Sequence, residues 1–387
     1  MLSELLKREI PRILPKAIEI RRHIHMHPEL SGEELKTTKC ICDVLDDYDI
    51  SYTVLPNRCG VVAEVGFGDS AVGIRAELDA LPMQELTGLE YASVNEGVMH
   101  ACGHDIHAAA ALGFLLLIKP HESRLEHRIR VFFQPAEETV GGADAMIKCG
   151  CLENPKVDTV FGFHVDPTLR TGAVRYLAGA MNAAVTDVEL TIRGKSCHGA
   201  RPQQGIDAIV AAAGVVSALQ TVPARRFAPT TPVVVTIGTI NGGTASNIVA
   251  DEVRMSGTLR ALDMDAMRTL KSLVKQTCEL TAHSFGAHAD VTFTTEYPVL
   301  NNAPELTERT IDKISALIGK ENVYKMDAPS LGADDFAFFC QAADCCYFNI
   351  GCRGNAQGDD QVLHSAYFAP DERCIENALK ILCEIVM

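Results

Sequence analysis

The chain has 387 residues, 47% of them hydrophobic and 22% charged, and a net charge of −15. This length exceeds one ordinary domain, and the composition excludes a disordered or fibrous chain. The acidic balance argues against nucleic acid or an anionic membrane surface as a partner, because both need clustered Lys and Arg.

No apolar run is read as approaching the roughly 20 residues of a membrane span. The opening MLSELLKREI mixes charge with leucine and lacks the apolar core of a signal peptide. A cytoplasmic chain is therefore expected. Its fourteen cysteines then read as reduced and mostly buried thiols rather than as a disulfide scaffold.

In chain order, apolar spacing predicts a helix over 4–22, despite Pro11 and Pro15, and a second over 33–48. Strands at 61–66 and 71–78 follow, then a helix over 105–118, a strand at 128–134, a helix over 142–149 and a strand at 160–165. Strands this continuous in Val, Ile and Phe, alternating with helices, fit a sheet covered on both faces. From Ala184 the order becomes strand, helix (206–221), strand (233–240), strand (251–261), helix (265–284) and strand (289–297). This β-α-β-β-α-β order is a split βαβ, ferredoxin-like unit. After Pro298 come helices over 304–318, 334–342 and 371–386 and a strand at 345–351. The expected fold is α/β: a large domain with a mainly parallel sheet, from residues 1–182 and 293–387, interrupted by an inserted domain over 183–292 that invites hinge motion.

The strongest chemical signal is MHACGHDIHAA (99–109), which places Cys102, His104, Asp105 and His107 in a loop leading into an alanine-rich helix. Loops beyond the carboxyl ends of strands are where open α/β sheets bind ligands. FFQPAEET (132–139) ends a strand on Glu137 and Glu138, and adjacent carboxylates can divide metal binding from base chemistry. His164 in FGFHVDP is expected at the end of another buried strand, and His364 in LHSAYFAPDE lies in a polar loop. One thiol, three imidazoles and a carboxylate fit two divalent cations. The thiolate favours zinc, with manganese, cobalt or nickel as alternatives, over magnesium or calcium. RRHIHMHPE (21–29) looks like a further cluster, but histidines at steps of two are not expected to share a helix face, so His23, His25 and His27 read as structural.

RAELDALP (75–82), MHACGHDIH, QPAEE, GFHVDP, GKSCHGARP (194–202), GGTASNIVADE (242–252), SLGADDF (330–336) and LHSAYF together resemble the M20 family of metallo-amidohydrolases. The likeness is greatest to the branch of hippurate, indole-acetyl-amino-acid and N-acyl-amino-acid hydrolases. That resemblance implies that Cys102 bridges two metals, that His104, Glu138, His164 and His364 complete their shells, and that Glu137 is the general base in hydrolysis of N-acyl-L-amino acids. It implies that the inserted domain is a dimerising lid, giving a homodimer or a tetramer, whose His198 reaches into a partner subunit's site. It further implies that Asn247 and Arg260 grip the substrate carboxylate, that Gly332 brings backbone close to substrate, and that Asp79 and Asp105 orient ligand imidazoles. Arg75 stands where other M20 members have a metal histidine and is left out of the site. Glu77, Ile106, Ala333-Asp334 and Ala369 depart from the branch pattern. Two alternatives stay open: a dipeptidase or N-acetyl-diaminopimelate deacetylase with the same dimetal chemistry, and a non-enzymatic protein whose zinc staples the fold.

Overall fold

A computed structural model describes residues 2–139, 141–354 and 362–387. The chain forms two compact units, one from residues 1–181, 301–328 and 335–387, the other from residues 182–300 and 329–334.

The first unit is built on an eight-stranded sheet in the order Ser51–Val54, Val61–Val65, Arg128–Gln134, Ala71–Glu77, Val157–Arg170, Asp344–Arg353, Val174–Tyr176, Val323–Lys325. Its four inner strands, from Arg128–Gln134 to Asp344–Arg353, run parallel. Antiparallel pairs occur toward the edges. Ala71–Glu77 and Arg128–Gln134 are buried at almost every residue, as strands covered on both faces must be. Helices Leu2–Met26, His104–Ile118 and Arg373–Ile385 pack together, His104–Ile118 lying on Ala71–Glu77 and Arg373–Ile385 on Asp344–Arg353. Every residue of His104–Ile118 is buried, which explains its lack of an amphipathic pattern.

Two expectations change here. The helix expected over 334–342 is a short 3₁₀ turn, Asp335–Phe338, and one turn of α-helix, Phe339–Ala342. Asp335 is buried, with its carboxylate on Arg75 Nη2 at 2.6 Å and on the backbone N–H of Ala143 at 3.0 Å. His164 lies inside its strand rather than at its end, because pairing with Asp344–Arg353 carries that strand on to Arg170. His23 and His27, the latter one residue past helix Leu2–Met26, have ring centroids 4.6 Å apart, whereas His25 between them is buried against Asp105.

The second unit holds a four-stranded antiparallel sheet in the order Val233–Gly242, Glu252–Ala261, Ala184–Arg193, His288–Tyr297. Helices Ala208–Leu219 and Met264–Ser284 pack against it. The outermost strand pairs with Ala184–Arg193 as far as Tyr297, so this unit extends past the expected boundary at 292 and also takes in Pro329–Asp334. One segment of it, Ala208–Arg226, is long and apolar enough to cross a membrane by length and composition. It consists of two helices, Ala208–Leu219 and Thr221–Arg226, the second carrying Arg225 and Arg226. Ala208, Ala211, Ala212, Val215, Leu219 and Val222 are its buried positions. All fourteen cysteines are free thiols.

Candidate metal centre

Cys102, in the loop before helix His104–Ile118, and His104, the first residue of that helix, are the first two candidate ligands. Gly103 has φ 89°, and a Cβ there would meet Val165 Cγ2 at 2.3 Å. Only glycine lets this loop lie so close to the strand that carries His164. Cys102 Sγ lies 3.3 Å from His164 Nε2. The QPAEE turn brings in the glutamates, and its Ala136 takes a left-handed φ of 55°. His364, also left-handed at φ 60°, is held by its N–H on the carbonyl of Ala101 at 2.8 Å.

These side chains converge. The ligand atoms of Cys102, Glu138 and His364 lie within 4.8 Å of one another, and so do those of His104, Glu137 and Glu138. Glu138 belongs to both groups, and Cys102 touches His164. The tautomers suit metal binding. His104 Nδ1 faces the carbonyl and Oδ1 of Asp79 at 2.9 and 3.1 Å, and His164 Nδ1 faces the Val165 carbonyl at 2.8 Å. A carbonyl can only accept, so each Nδ1 carries the proton and each Nε2 presents its lone pair. Burial holds the His164 imidazole neutral by lowering its pKa to about 4.

Two atoms test whether cations fit. His104 Nε2 and Glu138 Oε1 are buried without a hydrogen-bond partner among the described residues. His364 Nε2 lies 3.2 Å from Glu138 Oε1, an ion-pair contact between two candidate ligands. A buried polar atom left unpaired costs about 1–3 kcal/mol, and a cation between such atoms removes that penalty. The donor set of thiol, imidazoles and carboxylates is one that divalent transition metals take. Burial pushes the Cys102 thiol well above its ordinary value. Burial also raises the Glu138 carboxyl, but His364 and His104 outweigh it and hold the group below the usual range.

Glu77, His104, His107 and His164 form a further group within 4.8 Å. His107 is not free to ligate there: its Nε2 accepts the Val165 N–H at 3.0 Å and its Nδ1 donates to Glu77 at 2.8 Å. Glu77 is also paired with Arg75. His107 therefore braces the strand beside His164, a role that its place in MHACGHDIH did not reveal.

Asp79 lies against a candidate ligand. It faces His104, and its Oδ2 accepts the Ser31 hydroxyl at 2.7 Å and the backbone N–H of Glu138 at 2.9 Å. Asp105 corrects its expectation. Its carboxylate meets Arg21 Nε at 2.7 Å and His25 Nδ1 at 2.8 Å, all three groups being fully buried, and it orients none of the candidate ligands. His104 and Asp105 project on different faces of the helix, because neighbours in sequence are about 100° apart. Burial alone would raise the Asp105 carboxyl, but Arg21 and His25 hold it well below the usual carboxylate range. Asp105→Ala strands a buried guanidinium and should cost about 3–5 kcal/mol of stability, measured by urea unfolding. Because the folded pKa is depressed, the stabilisation from Asp105 is present above the ordinary carboxylate pKa and is lost as pH falls.

The other four predicted residues belong to the second unit. His198 is exposed in the short strand Cys197–His198, and its Nδ1 accepts the Ala200 N–H at 3.0 Å, which leaves the proton on Nε2. The Asn247 carbonyl accepts the Gly199 N–H at 2.8 Å beside it. Arg260 Nη1 donates to the Leu331 carbonyl at 2.6 Å, next to Gly332, whose own carbonyl accepts the Ala183 N–H at 2.9 Å.

Comparison with known proteins matches residues 73–387 to the model of Peptidase family M20/M25/M40. The chain belongs to this family. It is 36% identical to the N-acetyl-L-cysteine deacetylase of Bacillus subtilis over 95% of its own length and 86% of the relative's. It is 34% identical to thermostable carboxypeptidase 1 of Saccharolobus solfataricus, over 96% and 94%. A crystal structure of a Bacillus subtilis protein described as a dinuclear metal binding peptidase of the M20 family is 30% identical and superposes with a TM-score of 0.82, over 97% of this chain and 98% of that one. This M20 chain is thus a hydrolase of a family with dinuclear metal members, and it carries groups of side chains suited to holding metal.

Proposed function

We propose that this M20 chain hydrolyses the amide bond of N-acyl-L-amino acids, releasing a carboxylate and a free amino acid. The observation that carries the reading is the convergence of Cys102, His104, Glu138, His164 and His364 around the buried His104 Nε2 and Glu138 Oε1, with Glu137 beside them. These five side chains hold two divalent ions, zinc first by ligand chemistry and manganese, cobalt or nickel as alternatives. When bound, the pair supplies Lewis acidity that polarises a carbonyl and lowers the pKa of water.

The chain's own residues do the rest. A carboxylate oxygen of Glu137 takes the proton of the attacking water and returns it to the nitrogen of the leaving amine. His198, protonated on Nε2, donates to the oxyanion that develops on the carbonyl, acting from a partner subunit. Arg260 and Asn247 bind the free carboxylate of the amino acid, the guanidinium as a forked donor, and Gly332 brings backbone to the substrate. Asp79 fixes the tautomer of His104. Asp79→Asn should lower metal affinity by about 10–100-fold, measured by equilibrium dialysis.

We assign dimerisation to the second unit. Its outermost strand Val233–Gly242 leaves one edge unpaired, and Ile209, Val210, Ile240 and Ile248 are 44–54% exposed. Bare edges and exposed apolar side chains favour association. Mixing two inactive chains, His198→Ala and Glu137→Gln, should restore part of the activity when heterodimers form, and no recovery would reject action across subunits.

The reading is tested by a screen of N-acetyl, N-benzoyl and indole-acetyl amino acids against zinc, manganese and cobalt. Release of free amino acid supports it. Cleavage confined to dipeptides or to N-acetyl-diaminopimelate would move the assignment to those substrates.

A further inference from the structure

The turn that aims the two glutamates is held by more than its own residues. Ala136 has φ 55°, a left-handed conformation that residues with a Cβ seldom adopt. Such a backbone persists only where its surroundings over-determine it. Three hydrogen bonds do so here. The Gly142 N–H donates to the Ala136 carbonyl at 3.2 Å, the Glu138 N–H donates to Asp79 at 2.9 Å, and the Ala136 N–H donates to Glu34 Oε1 at 2.8 Å.

Glu34 is fully buried, just before helix Leu35–Asp47. Its Oε1 also accepts the Gly32 N–H at 2.9 Å. A carboxyl in such a place is expensive to desolvate, and backbone donors are what compensate it. One of those donors lies 102 residues away in the chain, one step before Glu137.

We propose that Glu34 is a positioning residue. Through the Ala136 N–H its carboxylate fixes the left-handed turn that aims Glu137 and Glu138. The proposal rests on the roles assigned above to those two glutamates, and Glu34 itself touches neither substrate nor cation.

The test titrates wild type, Glu34→Gln, Glu34→Asp and Glu34→Ala with cobalt(II), reads the visible d–d spectrum, and then measures kcat and KM at saturating metal. In Glu34→Ala one of two cobalt ions should bind at least tenfold more weakly with an altered spectrum, and kcat should fall at least tenfold while KM stays within threefold. Glu34→Gln retains an acceptor oxygen and should stay within threefold of wild type throughout. Glu34→Asp keeps the charge but withdraws the acceptor by one methylene. It should fall between the two, and it is read in place of Glu34→Ala if that variant does not fold. Wild-type spectra and affinities in the Ala and Asp variants would overturn the proposal, as would a Gln variant as impaired as Ala. A wild-type chain that binds fewer than two cobalt ions would overturn the reading of the glutamates themselves, and this proposal with it.

Discussion

Replacing Glu137 with glutamine should lower kcat by about 10²–10⁴-fold, the range for loss of a positioned general base, and leave bound metal per chain unchanged. Glutamine keeps the size and the hydrogen bonding of the side chain but cannot take a proton at neutral pH. Glu138→Gln should behave differently. Glu138 belongs to both groups of converging ligands and its buried Oε1 faces His364, another candidate ligand, at 3.2 Å, so removing its charge should release metal before turnover is even considered. Elemental analysis of the two purified variants beside steady-state kinetics separates these outcomes. Equal turnover in Glu137→Gln and wild type would reject the assignment of the base, and full metal content in Glu138→Gln would reject that ligand.

Cys102→Ala should have the second large effect, loss of metal from the centre and with it loss of activity. The sulfur sits 3.3 Å from His164 Nε2 and within 4.8 Å of the ligand atoms of Glu138 and His364, so its removal affects every neighbouring ligand at once. Cys102→Asp replaces a soft donor with a hard one and should shift the preference from zinc toward manganese, read by competition dialysis. Burial raises the pKa of this thiol, and a cation must displace its proton to bind there. Apparent metal affinity should therefore weaken as pH falls, and loading should release protons into a weakly buffered solution. Affinity independent of pH would argue that Cys102 does not ligate.

Much of the centre is legible in the chain because its residue types are chemically unusual where they stand. Cys102 and His104 are two apart beside a glycine, and Glu137-Glu138 follow a buried strand, so local context is enough to mark them. His164 and His364 are marked only by their company, and the fold supplies the proximity that the sequence leaves open. What fails to show is long-range pairing. Asp105 looks like a partner of the imidazoles next to it, yet its carboxylate goes to Arg21 and to His25, 80 residues away. Glu34 in PELSGEE carries no local sign that it grips the turn at Ala136. The strands Ser51–Val54, Val174–Tyr176 and Val323–Lys325 are too short for an alternating pattern to stand out, and their places at the edges come from pairing with neighbours. The parallel inner strands and the split βαβ order are plain because their apolar runs are long and punctuated by helices.

The central claim is that two cations act in one catalytic centre rather than one cation stapling the fold. The most direct measurement strips the protein with a chelator, returns zinc in steps, and follows bound metal and amidase activity together with the melting temperature. The account predicts activity that rises to its plateau at two zinc ions per chain, and a stripped protein that is inactive but still folded. A single tightly held zinc, with no activity at any loading and unfolding when it is removed, would contradict it.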